Sequence, residues 1–125
     1  MKRIVFWGDS ITDCGRNRND LYNLGEGYAN LIRADLGYRC PGEYEFMNHG
    51  IGGNRIVDLY ARIKAGFLNW TPDYASILIG VNDTWHEIAY KNGIATAKFE
   101  KLYEMMLDEI LEADRLARIC VSEGI

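Results

Sequence analysis

Three short apolar runs in this sequence each end abruptly at a glycine-containing polar switch, and that recurrence constrains the fold more than any other feature. Residues 4–7 stop at Gly8 and deliver Asp9 and Ser10. Residues 44–47 run into Asn48, His49, Gly50, Ile51, Gly52, Gly53 and Asn54, and residues 74–79 stop at Gly80 before Val81, Asn82 and Asp83. The last run is almost continuously apolar, as suits a central parallel strand buried on both faces. Between the runs, apolar residues recur at helical spacing. Tyr28, Leu31, Ile32 and Leu36 mark a helix over 27–36, with Gly37 as its end. Ile56, Leu59, Tyr60, Ile63 and Phe67 mark a second. The longest carries Phe99, Leu102, Tyr103, Met106, Leu107, Ile110 and Leu111, with Thr96 as its N-cap. Residues 117–121 read as a fourth strand, and 14–26, with Arg16, Asn17, Arg18, Asn19 and Asp20, as a solvated, mobile loop.

Strands alternating with helices predict an α/β fold, a doubly wound parallel sheet of flavodoxin-like type in a three-layer α/β/α sandwich. Ligands of such sheets bind beyond the carboxyl ends of the strands. All three glycine switches then share one edge, so Ser10, the Gly52 and Gly53 turn, and Asn82 converge although they lie far apart in sequence.

Composition narrows the function. The chain has 125 residues, 48% hydrophobic and 26% charged, which reads as a single domain able to bury roughly two thirds of its unfolded surface. Eighteen acidic against fourteen basic residues give a net charge of −4. No cluster of Lys and Arg could track a phosphate backbone, so nucleic acid is not the expected partner and an uncharged substrate is. After Met1, Lys2 and Arg3, only about five apolar residues precede Gly8, too few for a signal-peptide core or a membrane span. The expectation is a cytoplasmic protein without membrane contact. Cys14, Cys40 and Cys120 are odd in number and lack the close pairing of a zinc site or a redox motif. Free thiols, no metal and no cofactor are expected.

A hydroxyl, a flexible backbone turn and a carboxamide at one sheet edge suit acyl transfer, which needs a nucleophile and donors aimed at an oxyanion. Ser10 is the candidate nucleophile. Its own N–H, the Gly53 N–H and the Asn82 amide are the candidate donors, Gly53 because no Cβ obstructs the substrate. Asp9 and Trp85 are candidates for substrate contact. Asp9 and Asp13 equally suit holding the serine's turn, Trp85 equally suits packing, and Ser10 or Thr12 would suit an ordinary helix cap.

The motifs GDSIT around Ser10, NHGIGGNR around Gly53 and IGVNDTW around Asn82 resemble, in order and spacing, the first three blocks of the SGNH (GDSL-type) hydrolase family, over residues 4–121. The resemblance implies the SGNH hydrolase fold, with Ser10 as nucleophile and Gly53 and Asn82 in the oxyanion hole. The runs GDSITDCGR and GVNDTWHE look most like intracellular carbohydrate esterases of the acetylxylan esterase kind, which implies a small-molecule or oligosaccharide ester as substrate.

One departure matters. The family's fourth block, an Asp-x-x-His that supplies the base and its orienting carboxylate, does not occur, so the domain 1–125 is expected to be incomplete at its C-terminus. Only His49 and His86 exist. Asp83 stands three residues before His86 and mimics the spacing, but inside the third block, and a surface or helix-capping His86 is the expectation. A catalytically incomplete fragment or a non-enzymatic binding module is the first alternative. A flavodoxin-like nucleotide binder is the second, against which Asp9 speaks by placing a carboxylate where a phosphate would sit. A sheet ending at its fourth strand also leaves apolar faces and an edge uncovered, which implies a homo-oligomer.

Overall fold

The computed structural model describes residues 1–114 and 116–123. β1 (Lys2–Gly8) carries apolar side chains on both sides, and it takes an inner place in a four-stranded sheet. The turn α1 (Ser10–Asp13) and the helix α2 (Tyr28–Arg39) lead to β2 (Tyr44–Asn48). Two short helices, α3 (Ile56–Ala61) and α4 (Ile63–Gly66), lead to β3 (Tyr74–Ile79). Two more, α5 (Val81–Tyr90) and α6 (Thr96–Ala113), precede β4 (Arg118–Glu123). The strand order is β2-β1-β3-β4, every pair parallel, with Phe6 of β1 opposite both Asn48 and Ser76.

Alternation along β1 divides the core. Val5 and Trp7 join Met47, Ile77 and Ile79 against Ile56 and Leu59 of α3, Ile63 of α4, and Met106 and Ile110 of α6. Ile4 and Phe6 face the other way, onto Leu24 and onto Ala29 of α2. This is the three-layer α/β/α sandwich. Among the described residues no helix is long and apolar enough to cross a membrane.

Several local expectations are corrected. β3 is buried on one face only: Ala75, Ile77 and Ile79 are covered, whereas Tyr74, Ser76 and Leu78 are half-buried, because α2 is the one long helix packed on their side. Gly37 lies inside α2, which continues to Arg39; a single glycine costs a helix only about 1 kcal/mol and need not end it. The helix anticipated over 56–67 is broken at Arg62 and finishes in a 3-10 turn, Leu68–Trp70. Thr96 is the first residue of α6 rather than its cap. The loop 14–26 is exposed from Asn17 to Asn23, yet it buries Leu24 and is pinned where Arg16 Nε donates to Gly50 O at 2.9 Å.

Gly50 and Gly37 allow a paired test of packing against propensity. A methyl on Gly50 would lie 2.8 Å from Thr12 Cβ and 2.9 Å from Asp9 O, whereas one on Gly37 meets nothing within 4 Å. Gly50→Ala is expected to lower stability in urea by about 1–3 kcal/mol or more, and Gly37→Ala to raise it by about 0.5–1 kcal/mol. Equal unfolding midpoints for the two variants would contradict this reading of the turn.

Candidate active site

Beyond Gly8 the chain enters the single turn of α1. Asp9 caps that turn, its Oδ1 accepting the Ile11 N–H at 2.9 Å, which satisfies one of the free donors of a helix start. Cys14 closes the turn in the left-handed region (φ 40°), its N–H donating to Ser10 O at 2.9 Å. Ser10 is therefore held at the carboxyl end of β1 and exposed, between the buried side chains of Asp9 and Thr12. Its N–H meets no acceptor among the described residues.

The turn after β2 stays close to β1. The His49 N–H donates to Phe6 O at 2.9 Å and the Ile51 N–H to Gly8 O at 3.0 Å. A Cβ built on Gly52 would lie 3.7 Å from Ser10 Cβ, so this turn passes directly beside the serine. The Gly52 N–H is engaged by Asp13 Oδ2 at 3.3 Å. Gly53 sits at φ 83°, in the left-handed region that favours glycine, with open space where a side chain would be. Its N–H meets no acceptor among the described residues.

The third switch is joined to the second. Asn82, the second residue of α5, is 8% exposed, and its Nδ2 donates to Asn54 O at 3.1 Å. A carboxamide nitrogen carries two hydrogens, so one remains for another acceptor. The structure thus brings Ser10, the Gly52 and Gly53 turn, and Asn82 to one edge of the sheet.

Asp9 lies beneath the serine's turn, and Trp85 stands three residues beyond Asn82 on α5. Asp9 is 1% exposed and lies under the turn it caps, its Oδ2 buried without a partner among the described residues, and burial pushes its carboxyl above the usual range. Trp85 is 54% exposed on α5, which the strand-then-glycine pattern did not anticipate. It lines a groove of about 590 Å³ with Gly80, Thr84, Ile88, Phe99 and Val121, and neither Ser10 nor Gly53 borders that groove.

The two histidines are committed elsewhere. His49 Nδ1 is 2.6 Å from Gly66 O, to which it donates, and its ring meets Trp70 edge-on at 5.1 Å; burial lowers its pKa. His86 is half-buried within α5, edge-on to Tyr90 at 5.5 Å. Asp83 is 3% exposed, and both its oxygens accept the Ile56 N–H, at 3.0 and 3.2 Å. Among the described residues no hydrogen bond joins Asp83 to His86, so the Asp-x-x-His spacing here serves the start of α3. Nor does any group of three His, Cys, Asp or Glu side chains stand close enough, among those residues, to share a metal ion.

Sequence reasoning missed Asn48 and Arg62. Asn48 is 2% exposed; its Nδ2 donates to Thr12 O at 2.6 Å and Leu24 O at 2.9 Å, and its Oδ1 accepts the Gly50 N–H at 2.9 Å. Arg62 donates from Nε to Asn54 Oδ1 at 2.8 Å, from Nη1 to His49 O at 2.8 Å and from Nη2 to Gly8 O at 3.2 Å. Arg62 lies three residues after Leu59 and four before Gly66, at the margin of an apolar stripe, and that was the available signal.

Comparison with known proteins agrees with this architecture. The model of the GDSL-like lipase/acylhydrolase family matches residues 6–123. An acetylxylan esterase of Geobacillus stearothermophilus is 39% identical over 97 residues, which is 69% of this chain and 42% of that protein. A protein of Parabacteroides merdae, described as a GDSL-like lipase, superposes with a TM-score of 0.91 at 32% identity. A variant of Axe2, an acetyl xylan esterase from Geobacillus stearothermophilus, does so with 0.84 at 31% identity. Both superpositions cover 96% of this chain and 58% of the other. With its three glycine switches on one sheet edge and the family model spanning them all, the chain belongs to the GDSL-like lipase/acylhydrolase family.

Proposed function

We propose that Ser10, Gly53 and Asn82 form the nucleophile and oxyanion hole of a serine esterase whose substrates are short acyl, chiefly acetyl, esters of carbohydrates. The observation that carries this reading is the bond from Asn82 Nδ2 to Asn54 O, which ties the third switch to the second beside Ser10. In the reaction Ser10 Oγ adds to the ester carbonyl carbon and its proton passes to a base. The carbonyl oxygen, now negative, accepts from the Ser10 and Gly53 N–H groups and from the remaining Asn82 hydrogen. Collapse expels the alcohol, and water repeats the addition on the acyl-serine to release the acid. Relatives bearing the name acetylxylan esterase support acetylated saccharides as the substrate class. In this reading the base is an Asp-x-x-His block of the family's kind outside the 125 residues, since among the described residues no hydrogen bond joins His49 or His86 to Ser10.

The longest form of the protein that its gene encodes is expected to deacetylate an acetylated xylo-oligosaccharide faster than it cleaves esters of increasing chain length. A fluorophosphonate should label Ser10 by mass spectrometry, and Asn82→Ala should lower kcat by about 10²–10³. A preference for long chains would refute the substrate class, and label on Ser76 or Ser122 alone would refute the nucleophile.

A non-catalytic binding module is the second reading, favoured because among the described residues neither histidine ring is hydrogen-bonded to Ser10. Residues 1–125 alone should be a very poor esterase, because loss of the triad histidine costs on the order of 10⁶ in turnover in other serine hydrolases. The same piece should self-associate, since β4 is an edge strand and exposes Val121, with Leu111 of α6 also exposed. Ester hydrolysis and light scattering across a dilution series measure both; a monodisperse monomer with ordinary turnover overturns the pair.

Asp83 and His86 should behave as independent residues. Asp83→Ala is expected to cost about 1–2 kcal/mol, as loss of a helix cap does, and His86→Ala about 0.5 kcal/mol or less. A double-mutant cycle by urea denaturation should give a coupling below about 0.5 kcal/mol; a larger coupling would point to a working dyad.

A further inference from the structure

We infer that Arg62 is a positioning residue for the oxyanion hole, setting the Gly53 N–H and the Asn82 amide together through their shared neighbour Asn54; the inference rests on the esterase reading of that site. Arg62 holds the side chain of Asn54, and Asn82 holds its carbonyl. The residue that follows Gly53 is thus held by two bonds, one to its side chain and one to its carbonyl. The other two nitrogens of the guanidinium donate to Gly8 O and His49 O, at the carboxyl ends of β1 and β2. One rigid fork therefore references the turn to β2 and to β1, the strand that carries Ser10.

The setting of the guanidinium is unusual for a structural arginine. All three of its acceptors are neutral, its carbon lies 4.1 Å over the ring of Trp7, and among the described residues no carboxylate forms an ion pair with it. Burial pulls its pKa down to about 10, so it stays cationic at neutral pH. The break between α3 and α4 falls at Arg62 itself, which is neither α3 nor α4 in conformation (φ −109°, ψ 22°). Lysine cannot replace this arrangement, because a single ammonium has no planar fork to span three separate acceptors while stacking on an indole.

The test uses the longest encoded form of the protein, with Arg62→Ala, Arg62→Lys and Asn54→Ala, and with Met106→Ala as a core variant on α6. Both Arg62 variants should lower kcat for an acetyl ester by about 10- to 100-fold, the scale of a small misplacement, with KM within about threefold. In nitrogen–proton spectra without substrate, the Gly53 amide and the Asn82 side-chain amide should shift or broaden. Millimolar methylguanidine should restore part of both in Arg62→Ala and nothing in Arg62→Lys. Met106→Ala should lower the melting temperature and leave kcat and both signals in place. Wild-type kcat with unmoved Gly53 and Asn82 signals in folded Arg62→Ala would overturn the inference, as would the same losses in Met106→Ala. Should Arg62→Ala not fold, Asn54→Ala decides: smaller losses of the same kind support the role, and none overturns it. If the unaltered protein hydrolyses no ester, the esterase reading fails, and the amide signals still decide whether Arg62 sets Gly53 and Asn82.

Discussion

The carboxamide of Asn48 is the interaction on which the rest of the site depends. It is sealed from solvent and spends its donors on the carbonyls of Thr12 and Leu24 and its acceptor on the Gly50 N–H. Three separate stretches of backbone are thus fastened to the last residue of β2. A buried carboxamide left without partners costs about 1–3 kcal/mol, so the arrangement is self-enforcing: the loops must come in for the strand to be buried. Gly50 makes the approach sterically possible, because its α-carbon lies against Thr12 and Asp9 with no room for a methyl. Ser10 and Gly52 become neighbours as a result.

Three of the charged groups at this edge, Asp9, Asp83 and Arg62, are held by neutral groups rather than by opposite charges. Asp9 is held by the Ile11 N–H, Asp83 by the Ile56 N–H and Arg62 by carbonyls. Burial raises both carboxyls above their unfolded values, so the native chain takes up their protons more readily than the unfolded chain does. Their effect on stability is then least favourable at neutral pH and improves on acidification through that range. Asp58 behaves in the opposite sense. Burial opposes its ionisation, yet the side-chain and backbone bonds from Arg55 hold its pKa below the usual range. Its contribution is present above the unfolded value and is lost as pH falls through the lowered native one.

Much of this was legible in the sequence, because a parallel sheet puts all strand ends on one side. Once residues 4–7, 44–47 and 74–79 are read as strands, Ser10, Gly53 and Asn82 must share an edge. Local rules failed where tertiary contacts override them. Gly37 is carried through α2, and Thr96 enters α6 without capping it. For Asp9 the sequence left substrate contact and a hold on the serine's turn equally open, and the bond from the Ile11 N–H shows the hold. Arg62 and Asn48 were illegible for a different reason. Their partners lie 54 and 36 residues away, at Gly8 and Thr12, and no window of local periodicity contains such a pairing.

The strand order β2-β1-β3-β4 has a consequence for how the protein comes to exist. β1 leaves the ribosome first, yet it is an inner strand whose neighbours arrive much later: the bond from the Arg3 N–H to Asp73 Oδ2 spans 70 residues. Closing such loops costs chain entropy before any strand pairing compensates, which makes parallel sheets slow to fold. During synthesis β1 must therefore wait for its second partner, with Val5 and Trp7 lacking Ile77 and Ile79, until the third strand has been made. The chemistry-bearing edge is then a late product of folding, and the interval before it forms is when the nascent chain is most exposed to aggregation and to chaperones.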